Sequence, residues 1–320
     1  MKLLRLAPEK TNISFMRFRR ISYPLSAALS IVAVILFFSV GMNFGIDFAG
    51  GTQVELRAHA GAADIGALRA KAETLGLGPV EAQRSGADSD VTLRLNVQPG
   101  GEAGQAAAVA KLHGAFDEAY DFRSVEAVGP RVSGELVQSG TLGVVIAILA
   151  VLTYLWFRFE WQFAVGAIIG TMHDLLLTVG FFAFTQLEFN QTSIAAILTI
   201  VGYSLNETVV VLDRIREVMR KYKKLSTAEI VDMSVNAVLP RTIMTATTVF
   251  LALLALFLLG GHVIRSFSAA MIWGIFVSTY SSIFICSPML IYMGVRADTL
   301  DKPQDSGKPG EAAKPAKAPA

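Results

Sequence analysis

Cysteine is all but missing from this chain: Cys286 stands alone among 320 residues, so neither an intramolecular disulfide nor a cysteine-built metal cluster can form. Histidine is scarce too, at four residues, and no P-loop, nucleophile elbow or zinc-binding spacing occurs. Phosphoryl transfer, acyl transfer and metal-assisted hydrolysis therefore lack their usual carriers, and the sequence assigns no catalytic residue, no metal and no cofactor. Charge is thin as well. Asp, Glu, Lys and Arg make up 17% of the chain against 53% hydrophobic residues, with a mean hydropathy of +0.50, far too apolar for the cores of one or two soluble domains.

What the chain does have is long apolar runs. A helix needs about 20 predominantly apolar residues to cross the hydrocarbon, because every backbone amide must be satisfied within it. Six segments qualify, at about 23–42, 141–157, 163–184, 192–212, 242–259 and 267–293. Positive charge sets their direction. Lys2, Arg5, Lys10, Arg17, Arg19 and Arg20 precede the first run, and Arg214, Arg216, Arg220, Lys221, Lys223 and Lys224 lie between the fourth and fifth. The turn at 186–191 has no Lys or Arg. The expected organisation is a cytoplasmic N-terminus (1–20), a first span (21–42), an extracytoplasmic domain (43–138), spans at 139–157, 162–185 and 191–213, a cytoplasmic loop (214–238), spans at 239–260 and 266–294, and a disordered cytoplasmic tail (296–320). Topology thus accounts for the basic runs, and the net charge of +2 gives no reason to expect nucleic acid. The basic start is too long, and its apolar run too extended, for a cleaved signal peptide, so an uncleaved anchor is expected.

The inserted segment carries 13 acidic against 8 basic residues, the balance of a solvated domain. A glycine-dense turn, GIDFAGGT at 45–52, leads into an alternating strand at 52–57. A helix follows, with Asp64 as N-cap and Gly76 just past its end, then strands at 80–84 and 91–97, a helix at 105–120 and a strand at 122–128. This β-α-β-β-α-β order is that of the ferredoxin-like split motif. His59 and His113 lie far apart in the domain and read as exposed structural residues.

Ionisable residues inside spans cost at least ~2.5–3.5 kcal/mol when charged at the helix centre, which makes each a functional candidate. His173 and Asp174 sit midway along the third span, Glu207 in the fourth, and Arg241 opens the fifth. At 1.5 Å per residue, Glu207 lies about 8–9 Å inward of Asp213, so its carboxyl must be protonated, paired or wetted. A Glu207–Arg241 pair is geometrically allowed. Pro240 complicates it, because proline suits a first helical turn and would leave Arg241 snorkelling at the interface; a helix starting near Ser234 would instead bring Arg241 to the depth of Glu207. Asp213, Arg214 and Arg216 read as interfacial charges that fix topology. For Asp174, a proton relay and a helix-to-helix hydrogen bond both remain open. Gly166 and Gly170, with Gly202 and Ser204, read as small residues that permit close helix approach.

The motifs GIDFAGGT (45–52), VGPRVSGEL (128–136), FRFEWQFA (157–164), HD (173–174), VGYSLNETVVVLDRIRE (201–217), LPRT (239–242) and FLLGG (257–261) together resemble the SecF family. Its members are the smaller subunits of the SecDF complex of bacterial protein export, within the RND superfamily. The resemblance covers about 15–295. It implies an α-helical polytopic fold of six transmembrane helices in a 1+5, half-RND arrangement, with an inserted α+β ferredoxin-like extracytoplasmic domain, in the bacterial inner membrane with both termini cytoplasmic. It further implies a non-enzymatic subunit that works with SecD, drawing on the proton-motive force to promote passage of unfolded secretory polypeptides through SecYEG and their release outside. YidC and YajC are further implied partners. By the same resemblance Glu207 and Arg241 match positions implicated in proton transport, where this chain carries glutamate against the family's usual aspartate. Gly45, Asp47, Gly50, Gly51, Gly202, Asn206, Asp213 and Arg214 fall in the family motifs. Two other function classes compete with this reading. One is a half-unit of an RND-like small-molecule exporter, which would need larger inserts; the other is a passive translocon scaffold.

Overall fold

A computed structural model describes residues 11–296; the expected tail, apart from its first residue, and the first ten residues of the N-terminus lie outside the described residues. Among the described residues six helices are long and apolar enough to cross a membrane. The first, α1 (Arg19–Ser39), is followed by the short α2 (Ile46–Ala49), and then by an inserted domain of β1 (Gly51–Ala58), α3 (Ile65–Glu73), β2 (Val80–Arg84), β3 (Asp90–Leu95), α4 (Gly101–Phe116) and β4 (Tyr120–Val128). The remaining spans are α5 (Pro130–Arg158), α6 (Trp161–Thr185), α7 (Gln191–Lys221), α8 (Thr227–Leu259), and a last one made of α9 (Gly261–Ser281), a π-turn (Ser282–Cys286) and α10 (Ser287–Tyr292).

The domain folds because alternation in its strands meets apolar faces on its helices. Val54, Leu56, Val91, Leu93 and Leu95 point to one face of the sheet and are almost wholly buried. They lie opposite one another in the β1–β3 register, Val54 beside Leu93 and Leu56 beside Val91, and Leu68, Ala72, Leu112 and Phe116 of α3 and α4 cover them. Each such aliphatic side chain contributes about 1.5–3 kcal/mol by leaving water. The sheet order β2-β3-β1-β4, antiparallel throughout, is that of the ferredoxin-like split motif. Asp64 caps α3 by accepting from the Ala67 amide at 3.0 Å. His59 is exposed and His113 is half-buried against Phe122, each beside a carboxylate: Asp121 at 3.1 Å and Asp117 at 2.9 Å.

The opposite, polar face of the sheet looks down on the membrane helices, and the glycine-rich motif is what fastens it there. Gly51 has φ +121°, and a Cβ at that position would lie 2.2 Å from the Leu95 carbonyl oxygen, so only glycine lets β1 start here. Just upstream, the amide of Gly45 donates to the Phe189 carbonyl (2.8 Å) and the amide of Phe189 to the Asn43 carbonyl (2.7 Å). This backbone clasp joins the exit of the first span to the α6–α7 turn. Arg94 of β3 adds a second tie, pairing with Glu188 at 2.9 Å and donating to Asn43 at 3.1 Å.

In the bundle, α6, α7 and the last span form the buried centre, while α1, α5 and α8 present long apolar faces outward. Close approach comes from small residues: a Cβ on Gly170 would meet the Cys286 sulfur at 2.5 Å, and one on Gly180 would meet Ala33 at 2.4 Å. Gly202 does not share that role, since nothing lies within 4 Å of its Cβ position. The helices also run further than their hydrophobic cores. The charged stretch after Leu212 continues α7 to Lys221, and α8 begins at Thr227 with a Ser226–Glu229 capping box. Pro240 therefore sits inside α8 and not in its first turn.

Candidate functional site

Two carboxyls are buried in the bundle, and the helices deliver them differently. Asp174 of α6 is 1% exposed. Its Oδ2 accepts from the Ser204 hydroxyl of α7 at 2.6 Å and from the Ser281 hydroxyl of α9 at 2.8 Å, and its Oδ1 lies 3.2 Å from Nδ1 of His173. One acid of α6 thus holds α7 and α9 through two serine donors on one oxygen, with His173 beside the other. Ser281 reaches it from the residue before the π-turn, a local rewinding of the kind that recurs at functional positions in helices. The carbonyls of Phe284 and Ile285 within this turn accept from Ser22 (3.1 Å) and Tyr23 (2.7 Å) of α1, while Cys286 is turned to donate to the Gly166 carbonyl at 3.0 Å. His173 Nε2 and the Ser278 hydroxyl are buried with no hydrogen-bond partner among the described residues.

Glu207 lies one turn along α7 from Ser204 and is 4% exposed. Its Oε1 accepts a short hydrogen bond from the Thr242 hydroxyl of α8. Arg241, the neighbour of Thr242, turns the other way: it is exposed on the outer surface of the bundle and makes no side-chain ion pair with Glu207. The pairing allowed by the sequence is thus replaced by a threonine hydrogen bond, because consecutive helical residues point about 100° apart and only one of 241 and 242 can face α7. From the extracytoplasmic start of α7 and end of α8, Glu207 and Arg241 lie about 24 and 27 Å deep, the same level within the cytoplasmic half of a ~30 Å hydrocarbon layer.

Arg241 belongs to an outward stripe. On α8 it continues through Thr245 and Thr248; on α7, Ala195, Thr199, Gly202 and Asn206 are exposed at successive turns. At the cytoplasmic end, Asp213 pairs with Arg158 (2.6 Å) and Arg216 with Glu160 (2.6 Å), which ties α7 to the α5–α6 turn, while Arg214 pairs within its own helix to Glu217 (2.6 Å). At the other end Asn190 caps α7 in a capping box with Ser193, and Asp47 Oδ2 accepts from the first-turn Gln191 amide at 2.8 Å. The motif glycines Gly45, Gly50 and Gly51 shape the turn that puts Asp47 there. Ser281 and Thr242 escaped the sequence reading, and Ser204 entered it only as a small residue. Single hydroxyls are common in membrane helices, and only the depth match of Thr242 with Glu207 offered a clue. Among the described residues no three His, Cys, Asp or Glu side chains gather where they could hold a metal.

The family model described as protein export membrane protein SecD/SecF, C-terminal, matches residues 108–296, and the SecD/SecF GG motif matches 35–62. The protein translocase subunit SecF of Rickettsia akari is 42% identical over 289 residues, covering 90% of this chain and 94% of that one. That of Rhodobacter capsulatus is 41% identical over 307 residues, 91% and 92% of the two chains. The crystal structure of SecDF, a translocon-associated membrane protein, from Thermus thermophilus superposes with a TM-score of 0.79 at 34% identity. It covers 92% of this chain, which spans 40% of the SecDF chain. A fused SecDF subunit from Brucella abortus is likewise matched over 39% of its length, at 39% identity. The chain therefore belongs to the SecD/SecF family and is a SecF-like component of the Sec protein-export system.

Proposed function

We propose that this chain is the proton-coupled half of a SecD–SecF pair. It sits in the bacterial inner membrane with both termini cytoplasmic, and it uses the proton-motive force to promote movement of unfolded secretory polypeptides through SecYEG and their release outside. Glu207 takes up and releases the proton, Thr242 positions it, and Arg241 sets the charge of the surface on which it opens. Asp174 serves chiefly as the acceptor that holds the surrounding helices. YidC and YajC fit as further members of the assembly.

The observation that carries this reading is the outward stripe on α7 and α8. A guanidinium left in hydrocarbon costs at least ~2.5–3.5 kcal/mol, and a face of Gly, Ala, Thr and Asn packs against another helix better than against lipid tails. Arg241, Thr245, Gly202 and Asn206 on one surface therefore call for a partner's membrane helices, with Glu207 directly behind the join. SecD is the partner whose chemistry and size fit, since SecDF chains carry their remaining length beyond the part matched here.

The test is Glu207→Gln in a chain that still co-purifies with SecD. Proton-motive stimulation of export in inverted vesicles is expected to disappear while ATP-driven export persists. Glu207→Asp is expected to keep most of the stimulation. Undiminished stimulation in Glu207→Gln would refute the proton role and favour a passive scaffold.

A further inference from the structure

A cavity of about 570 Å³ lies between the polar face of the sheet and the α8–α9 turn, where the span ends and the extracytoplasmic membrane surface begins. Its upper wall carries Arg57, Arg123, Glu55 and Asp90, and its lower wall Phe257, Leu258 and Arg265. The charges are not equivalent. Arg57 is spent on Asp90, with which it forms a two-pronged pair at 2.6 and 2.7 Å. Arg123 and Arg265 form no ion pair among the described residues, and Arg265 is held over the Phe257 ring at 5.3 Å. Among the described lining residues three arginines stand with two carboxylates, one positive charge in excess. Below it α8 turns leucines outward: Leu258 and Leu259 are 68% and 85% exposed, and Leu251, two turns down from Leu258, is 57% exposed.

We propose that this cavity binds the phosphodiester headgroup of an anionic phospholipid from the outer leaflet. Arg265 and Arg123 donate to the phosphate oxygens, a geometry that guanidinium forks favour, and an acyl chain descends along Leu258 and Leu251. The single excess charge matches the single charge of a phosphodiester, and the leucine column at lipid depth selects a lipid over a free anion or an acidic protein segment. Holding Arg265 against an aromatic face prepares it for the ligand at little entropic cost. The lipid would sit as a wedge between external domain and membrane bundle, where any rocking of the domain must pass.

The test titrates delipidated full-length protein in detergent with phosphatidylglycerol, phosphatidylcholine and inorganic phosphate, read by native mass spectrometry and thermal shift. Phosphatidylglycerol is expected to bind most tightly and raise Tm, with phosphate alone giving no shift. The double variant Arg123→Gln, Arg265→Gln should lose about tenfold in phosphatidylglycerol affinity, whereas Arg123→Lys, Arg265→Lys keeps the charge and most of the binding. Arg131→Gln, a change at an exposed arginine outside the cavity, should match the unaltered chain. Equal affinity of the double Gln variant, an equal shift with inorganic phosphate, or tighter binding of polyglutamate than of phosphatidylglycerol would each overturn the proposal.

Discussion

Asp174 and Glu207 are both carboxyls buried at membrane depth, separated along α7 by the single turn from Ser204 to Glu207, yet their surroundings are opposite. Asp174 is closed in: both oxygens are engaged, by residues of three helices, at the centre of the bundle. Glu207 has one side-chain donor, Thr242, and backs on to a face that the chain itself leaves uncovered. A group held by three fixed partners gains most by never changing state, whereas a group with one partner and a nearby interface can be loaded and emptied when that interface moves. Burial alone does not make a proton carrier. The number of fixed partners decides which buried acid is scaffold and which is working part.

The largest effect expected from this contrast is on folding. Asp174→Ala takes away the acceptor of the buried Ser204 hydroxyl and the partner of His173 Nδ1, at about 1–3 kcal/mol for each group left unpaired, while the Ser281 hydroxyl keeps the Ser278 carbonyl; it should lower the yield and Tm of the chain in detergent severely. Asp174→Asn keeps an acceptor and should be milder. Glu207→Gln should leave Tm almost unchanged, because the amide oxygen still accepts from Thr242. If Asp174→Ala folded normally and abolished proton coupling, the two roles would have to be exchanged. Thr242→Val comes next. It removes the side-chain donor to Glu207 and should cut proton-motive stimulation of export about fivefold, a change of about 1 kcal/mol, with Thr242→Ser restoring it; equal activity of the Val and Ser variants would mean that Thr242 does not position the acid.

A smaller effect is expected at the far end of the same helix. Asp47 joins the external domain's entry to α7 by accepting from the Gln191 amide of its first turn. Asp47→Ala should cost about 0.5–1.5 kcal/mol, the net worth of one hydrogen bond, and should loosen the domain over the bundle. Hydrogen exchange is expected to rise in the first turn of α7 and to stay unchanged around Ser204. A rise extending to Ser204 would show that the clasp, and not the Asp174 cluster alone, holds the proton helix in place.

Most of the fold was legible before the structure, and the reason lies in period. Strand alternation at Val91, Leu93 and Leu95, the Asp64 cap and the long apolar runs are local signals, each fixed by a few neighbouring residues. The ends of α7 and α8 were not, since charged helical turns beyond the membrane look like loop when hydropathy alone is read; hence the sequence leaves open whether Pro240 opens a helix or lies within one that starts near Ser234, and α8 in fact begins at Thr227. In the site, the buried acids announced themselves by their cost in lipid. Their partners did not. Ser281 comes to Asp174 from more than a hundred residues away and only because of a π-turn, and whether Arg241 or Thr242 meets Glu207 depends on helix phase, which one residue of slippage reverses.

A third carboxyl, in water, supplies the reference for the two in the membrane. Asp90 pairs with Arg57 across β1 and β3, and the hydrogen bonds and charge of that guanidinium hold its carboxyl below the usual aspartate range. A depressed folded-state value means that the pair's contribution is complete above the unfolded aspartate pKa of about 3.9 and is lost as pH falls through the lower folded value. The pair is partly exposed and screened by solvent, so the step should be smaller than that of Asp47→Ala. Hydrogen exchange of the β1 and β3 amides in the full chain, taken from pH 5 to pH 3, is expected to accelerate beyond the intrinsic trend, and Arg57→Gln should remove that acid-dependent step. An unchanged step in Arg57→Gln would place the acid sensitivity elsewhere in the domain. Removal of the step would show how little an ion pair in water contributes beside the buried hydrogen bonds of Asp174, and so sharpen the claim that partners, counted at depth, separate the two membrane acids.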